Sequence, residues 1–168
     1  MRLLLLACTP LFALACQSPA GIADSGPSAL FERSTSAPVH IVSVGGSLVG
    51  SEEKYGLTAQ KDANGEVSGH LVVRLLDHVV SFTGDVTCLQ VQDNMAWIGV
   101  LITKSDATTG PMVEGRSFWF RVQDNGEGAD APVDRISSLN PGGGAARCNE
   151  RRTGLSLAWE MQGNVQVR

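Results

Sequence analysis

Val80-Ser81-Phe82-Thr83-Gly84-Asp85-Val86-Thr87-Cys88, Ala96-Trp97-Ile98-Gly99-Val100-Leu101-Ile102 and Ser117-Phe118-Trp119-Phe120-Arg121-Val122 are the stretches on which the fold is read. In the first, Val80, Phe82, Val86 and Cys88 alternate with Ser81, Thr83, Asp85 and Thr87. A period of two gives an extended chain one apolar and one polar face. Ala96, Ile98, Val100 and Ile102 repeat the pattern after the turn Gln92-Asp93-Asn94, and Phe118, Phe120 and Val122 repeat it after Thr108-Thr109-Gly110-Pro111. Successive strands of this kind predict an antiparallel sheet packed on one side. On that parity Cys88 points into the core, and Trp97 and Trp119 stand on the outer face.

The flanking text continues in the same style. His40-Ile41-Val42-Ser43-Val44 reads as a first strand. Tyr55 to Gln60 and Val67 to Val73 flank Asp62-Ala63-Asn64-Gly65, whose Asn-Gly step suits the positive φ angles of a tight hairpin. Beyond Asp124-Asn125-Gly126-Glu127-Gly128 the chain loosens into turns, through Asn140-Pro141-Gly142-Gly143-Gly144, before a last strand around Asn164 to Val167. Leu155 to Trp159 is a further strand candidate. No segment carries sustained helical spacing of apolar residues. The expectation is one all-β domain over residues 39–168, an antiparallel β-sandwich or small β-barrel of about seven or eight strands.

Charge narrows the function classes. Thirteen basic residues against 17 acidic give a net charge of −4, and the basic residues are scattered. Nucleic-acid binding needs a concentrated positive face to neutralise phosphates, so no nucleic-acid partner is expected.

At the N-terminus, Arg2 precedes an apolar run from Leu3 through Ala15 that only Thr9 and Pro10 interrupt. The run is too short to span a bilayer, which takes about 20 apolar residues, and has the form of a signal-peptide core over residues 1–15. Its ending, Phe12-Ala13-Leu14-Ala15-Cys16, resembles the lipobox of bacterial lipoproteins, with Ala13 where leucine is commoner. The resemblance implies that Cys16 is lipidated and becomes the mature N-terminus, so that the protein is exported and held on the cell-envelope membrane through acyl chains. Each buried methylene contributes about 0.8 kcal/mol, so several chains on one cysteine anchor the protein without a second device. The Ser-, Pro- and Gly-rich stretch over residues 16–38 reads as a tether.

With Cys8 in the signal and Cys16 lipidated, Cys88 and Cys148 remain, and in an oxidising compartment the expected outcome is one disulfide between them.

From about Tyr55 onward the chain also resembles the exported bacterial β-domains of the post-COAP-1-like family. The resemblance rests on Ala59 to Gly69, on Gly84-Asp85-Val86-Thr87-Cys88-Leu89, on Val122 to Gly128 with Asp134-Arg135-Ile136, and on Cys148 followed by Gly163-Asn164-Val165. It implies the β-fold and brings no activity, cofactor or partner with it.

Candidate chemistry is sparse. Asp124, Asn125 and Glu127, with Asp130 and Asp134, supply oxygen ligands of the kind calcium takes, although the spacing is not that of an EF-hand. The same Asp-Asn-Gly run is first of all an ordinary turn, with side chains that bond their own backbone. His40, His70 and His78 with the cysteines lack any zinc-ligand spacing. Neither Gly-x-Ser-x-Gly nor His-Glu-x-x-His occurs. Trp97 and Trp119, on the outer face, could form a carbohydrate-stacking platform unless other chain covers them. The sequence therefore points to a binding or structural module of the envelope, with an unidentified protein or glycan partner and no cofactor. A small hydrolase with a dispersed site and a carbohydrate-binding module are the alternatives.

Overall fold

The computed structural model describes residues 37–75, 80–128 and 130–168. Cys16, the tether up to residue 36 and His78 lie outside the described residues, and the last tether residue, Pro38, opens the first strand.

The strands are β1 (Pro38–Leu48), β2 (Lys54–Asp62), β3 (Val67–Leu75), β4 (Val80–Gln92), β5 (Met95–Ser105), β6 (Ser117–Gln123), β7 (Arg135–Ile136), β8 (Asn140–Pro141) and β9 (Trp159–Val167), with one short helix, α1 (Gly144–Asn149), between β8 and β9. Consecutive strands from β1 to β6 pair antiparallel. β7 joins β6 to β9, and β9 returns to β1, so the sheet closes on itself as an eight-stranded antiparallel barrel. Of the two architectures open to the sequence, closure selects the barrel and leaves no unpaired edge among those eight strands. β8 is an extra bridge on β6.

Alternation fills the interior. Val42, Val44, Leu57, Leu71, Val73, Phe82, Ile98, Val100, Phe118, Phe120, Val122 and Val165 all point inward and form one continuous cluster. Phe82 meets Phe118 edge-on at 5.6 Å between ring centroids. A barrel of this strand number has an interior just wide enough for such a filling.

The β2–β3 hairpin forms where expected but by a different turn. Only Gly65 takes a positive φ, 85°, and Asn64 does not. The Asp62 carboxylate instead organises the loop, its Oδ1 accepting from the backbone amides of Asn64 at 2.9 Å and Glu66 at 2.8 Å. At the β4–β5 turn Asp93 carries the positive φ, 54°.

Three expectations need correction. Residues 155–158 form no strand; β9 begins at Trp159 and runs nine residues. The Gly-rich segment before Cys148 leads into a helix, α1, whose six residues are too few to display a hydrophobic period. Cys88 does not share a face with Phe82 and Val86. The β4–β5 register shifts between Val86 and Cys88, so Thr87 is an extra residue, and past this bulge the two faces of β4 exchange. Leu89 takes the inward position opposite Ile98, while Cys88 turns outward opposite Gly99.

Tyr55, the chain's single tyrosine, is buried, and its hydroxyl donates to Glu53 Oε2 at 3.0 Å. Burial, and secondarily the Glu53 carboxylate, push its pKa far above the ordinary 10.0. A raised folded-state pKa gives stability that is complete below the unfolded value and is lost as pH rises beyond it. Alkaline titration of tyrosinate absorbance at 295 nm should therefore show no ionisation near pH 10 in the native protein. The signal should appear only together with unfolding at higher pH, and a simple titration near pH 10 in folded protein contradicts this.

Candidate functional site

Beside the barrel's interior a second, separate cluster lies on its outer face, formed by Cys88 on β4, Trp97 on β5, Trp119 on β6 and Cys148 on α1. Register places them together. Gly99 stands between Cys88 and Trp119, and Gln90, Trp97 and Arg121 form the next row across the same three strands. Gly99 is the seat of the helix, since a Cβ there would come within 2.9 Å of the Gly144 carbonyl carbon and oxygen. This close approach brings Cys148 over the sheet, where it bonds Cys88 with a Cα separation of 6.2 Å, within the range a disulfide spans. The disulfide read from the sequence is present, and it ties the helix to the outside of the barrel.

Parity placed Trp97 and Trp119 correctly on the outer face, but they form no exposed platform. They are only 4 % and 5 % accessible, covered by α1 and the segment that follows it. Trp97 Nε1 donates to the Arg152 carbonyl at 2.9 Å, and Leu155 packs against the same cluster. An indole left outward by alternation draws a covering segment because it is large and apolar with a single donor to satisfy.

Arg121, which sequence reasoning misses, is the unusual member of this face. It points outward beside Trp97, with its guanidinium carbon 6.0 Å from the ring centroid. Only 7 % of its surface is accessible, and its Nε has no hydrogen-bond partner among the described residues. Burial pushes its pKa below the ordinary arginine value. The available signal is the register itself: the outward neighbour of Trp97 on β6 is a cation.

Nearby arginines are paired unevenly. Glu150 receives Arg152 Nε at 2.6 Å and lies 3.6 Å from Arg147 Nη1, and the Arg152 hydrogen bond holds the Glu150 carboxyl below its ordinary range. Arg135 pairs with Glu160, whereas Arg151 reaches only the neutral Gln92 side chain at 3.4 Å.

The carboxylates of the acidic loop after β6 accept hydrogen bonds from its own backbone and from β9. Asp134 Oδ1 accepts from the Asn125 amide at 2.8 Å and Oδ2 from the Val165 amide at 2.7 Å. Asp124 likewise accepts from the Gly126 and Val167 amides, both at 2.9 Å. Glu127 Oε1 takes Gln166 Nε2 at 2.7 Å, Asn125 Nδ2 donates to the Val133 carbonyl, and Asp130 is exposed. The Asp124 and Asp134 carboxylates thus face amide hydrogens, and they latch the loop onto β9. Among the described residues no group of three His, Cys, Asp or Glu side chains converges as a metal site requires. The open hollow beside this loop, of about 370 Å³, has Glu127 and Asn164 in its wall, themselves 3.4 Å apart.

His70 stands on β3 with Nδ1 3.4 Å from Asp85 Oδ1, both exposed, and His40 lies on β1. No helix among the described residues is long and apolar enough to cross a membrane. Comparison of the chain with protein-family models, with characterised proteins and with solved structures finds no match in any of the three.

Proposed function

We propose that this chain is an exported lipoprotein of the bacterial cell envelope, a β-barrel module that binds or scaffolds at the membrane surface. The observation that carries the reading is the segment Phe12-Ala13-Leu14-Ala15-Cys16 at the end of a short apolar run behind Arg2. The Cys88–Cys148 disulfide supports it, because such bonds persist in oxidising compartments and are rare in the cytosol. The filled interior has a functional consequence: recognition has to use the outer face or the loops, since side chains occupy the space a ligand would take inside a wider barrel.

Replacement of Cys16 by serine tests the anchor. The variant should move from the membrane to the soluble fraction of the envelope while its circular dichroism stays that of a β-protein, because acyl chains supply the whole membrane affinity. Membrane sedimentation that survives a carbonate wash in the variant would count against the proposal.

A further inference from the structure

We propose that Arg121 is the anchor of an oxyanion-binding site on the outer face of the barrel, one that takes a carboxylate or phosphate group either free or at the end of a larger molecule. The inference is independent of the lipid anchor. It starts from an imbalance: Arg121 is more than nine-tenths buried, its Nε has no acceptor among the described residues, and its only described side-chain contact beyond packing is the face of Trp97. The ion pairs among the described residues involve other groups, so no described carboxylate serves it. An arginine does not escape this situation by losing its proton. Removing an unpaired guanidinium from water is costly, and buried polar groups otherwise find partners in the great majority of cases.

The surroundings favour an anion from outside. Arg135, Arg147, Arg151 and Arg152 also lie on β7, on α1 and on the segment after it, and the ion pairs that serve them among the described residues use two acids, Glu150 and Glu160, so basic groups outnumber their acidic partners here even though the whole chain is acidic. Trp97 lies against the guanidinium, its ring centroid 6.0 Å from the guanidinium carbon, and a planar guanidinium stacked in this way binds carboxylates and phosphates through its nitrogen-bearing edge in paired hydrogen bonds. Across this face runs the segment from Arg152 to Leu157, held at one end by Trp97 Nε1 on the Arg152 carbonyl and at the other by Arg135 Nη1 near the Leu157 carbonyl at 3.5 Å. Leu155 and Leu157 are half-buried and the residues between and around them exposed. An anion reaching Arg121 beside this segment would meet a recessed charge next to an apolar wall, which suits an oxyanion carried on a partly apolar body.

The test compares the purified protein with Arg121→Met, which keeps most of the side-chain volume and removes the charge. Inorganic phosphate and hexanoate are titrated separately against chloride at constant ionic strength, and Tm is followed. The native protein should show a saturable rise of several degrees with at least one of the two anions, because a ligand that binds only the folded state stabilises it by mass action. Arg121→Met should lose that rise. Any general stabilisation by salt acts on both proteins, and an equal response in both overturns the proposal, as does no response in the native protein. A response to phosphate alone assigns a phosphoryl source, and a response to hexanoate alone assigns a carboxylate on an apolar body. The Arg121 Nε–H resonance supplies a readout that does not depend on the variant folding. It should shift along the same saturation curve, and a Tm rise with no movement of that resonance places the anion elsewhere and refutes the assignment.

Discussion

Alanine at Gly163 will destabilise the barrel by roughly 3 to 5 kcal/mol, the combined scale of overpacking and of a strained backbone conformation. Gly163 lies on β9 directly opposite Gly46 on β1, at the pairing that closes the barrel. Its φ is 156° and that of Gly46 is 155°, conformations that side-chain-bearing residues rarely adopt. Each glycine also occupies the space where the other's Cβ would stand. A Cβ on Gly163 would fall 2.7 Å from Gly46 Cα and still nearer the Gly45 carbonyl oxygen, and a Cβ on Gly46 would fall 2.8 Å from Gly163 Cα. The obstructing atoms are backbone, so no rotamer change relieves the clash, and the seam itself has to open. For a domain of ordinary stability the loss is a large share of the total, and Tm should fall by about 10 to 20 °C. Gly45→Ala is the matched control. It is the adjacent residue, exposed, with nothing within 4 Å of where its Cβ would stand, and it should cost less than about 1 kcal/mol. Urea unfolding of the two variants decides the matter, and equal midpoints would remove the seam argument.

The second large effect is expected from Cys88→Ala with Cys148→Ala. The bond closes a loop of 60 residues, for which the chain-entropy estimate is about 4 kcal/mol, within the 2 to 5 kcal/mol commonly lost with a native disulfide. The loss should be spatially selective. The disulfide belongs to the outer cluster with Trp97 and Trp119, whereas the barrel interior is a separate cluster. Freed from Cys88, α1 keeps its seat on Gly99, the Gln90 Nε2 bond to Asn149 Oδ1 at 2.9 Å and the packing around them. Trp97 and Trp119 should then gain water, moving tryptophan emission to longer wavelength well before the β-sheet signal is lost. The double variant is preferred because it leaves no single thiol to form mixed disulfides. Unfolding at the native urea midpoint with native emission would show that the helix is held by packing alone.

Much of this architecture is present in the order of the residues. The alternation in β4, β5 and β6 sets strand direction and the inward set Phe82, Ile98, Val100, Phe118, Phe120 and Val122, because a pleated chain has only two faces and only one of them is apolar. The disulfide partners and the outward parity of Trp97 and Trp119 are likewise legible from spacing and composition. What lies beyond that reading depends on contacts between residues far apart in the chain. The bulge at Thr87 reverses the faces of β4, and although Leu89 and Val91 hint at the switch, only pairing with β5 decides where the extra residue goes. Barrel closure depends on Gly46 meeting Gly163, two residues far apart in the chain that carry no local pattern of their own. The covering of the tryptophans by α1, and with it the isolation of Arg121 from every described carboxylate, arises because Gly99 has room for Gly144 and the disulfide holds them together. Local periodicity reports which way a side chain points, whereas burial and charge pairing depend on what the rest of the chain places above it.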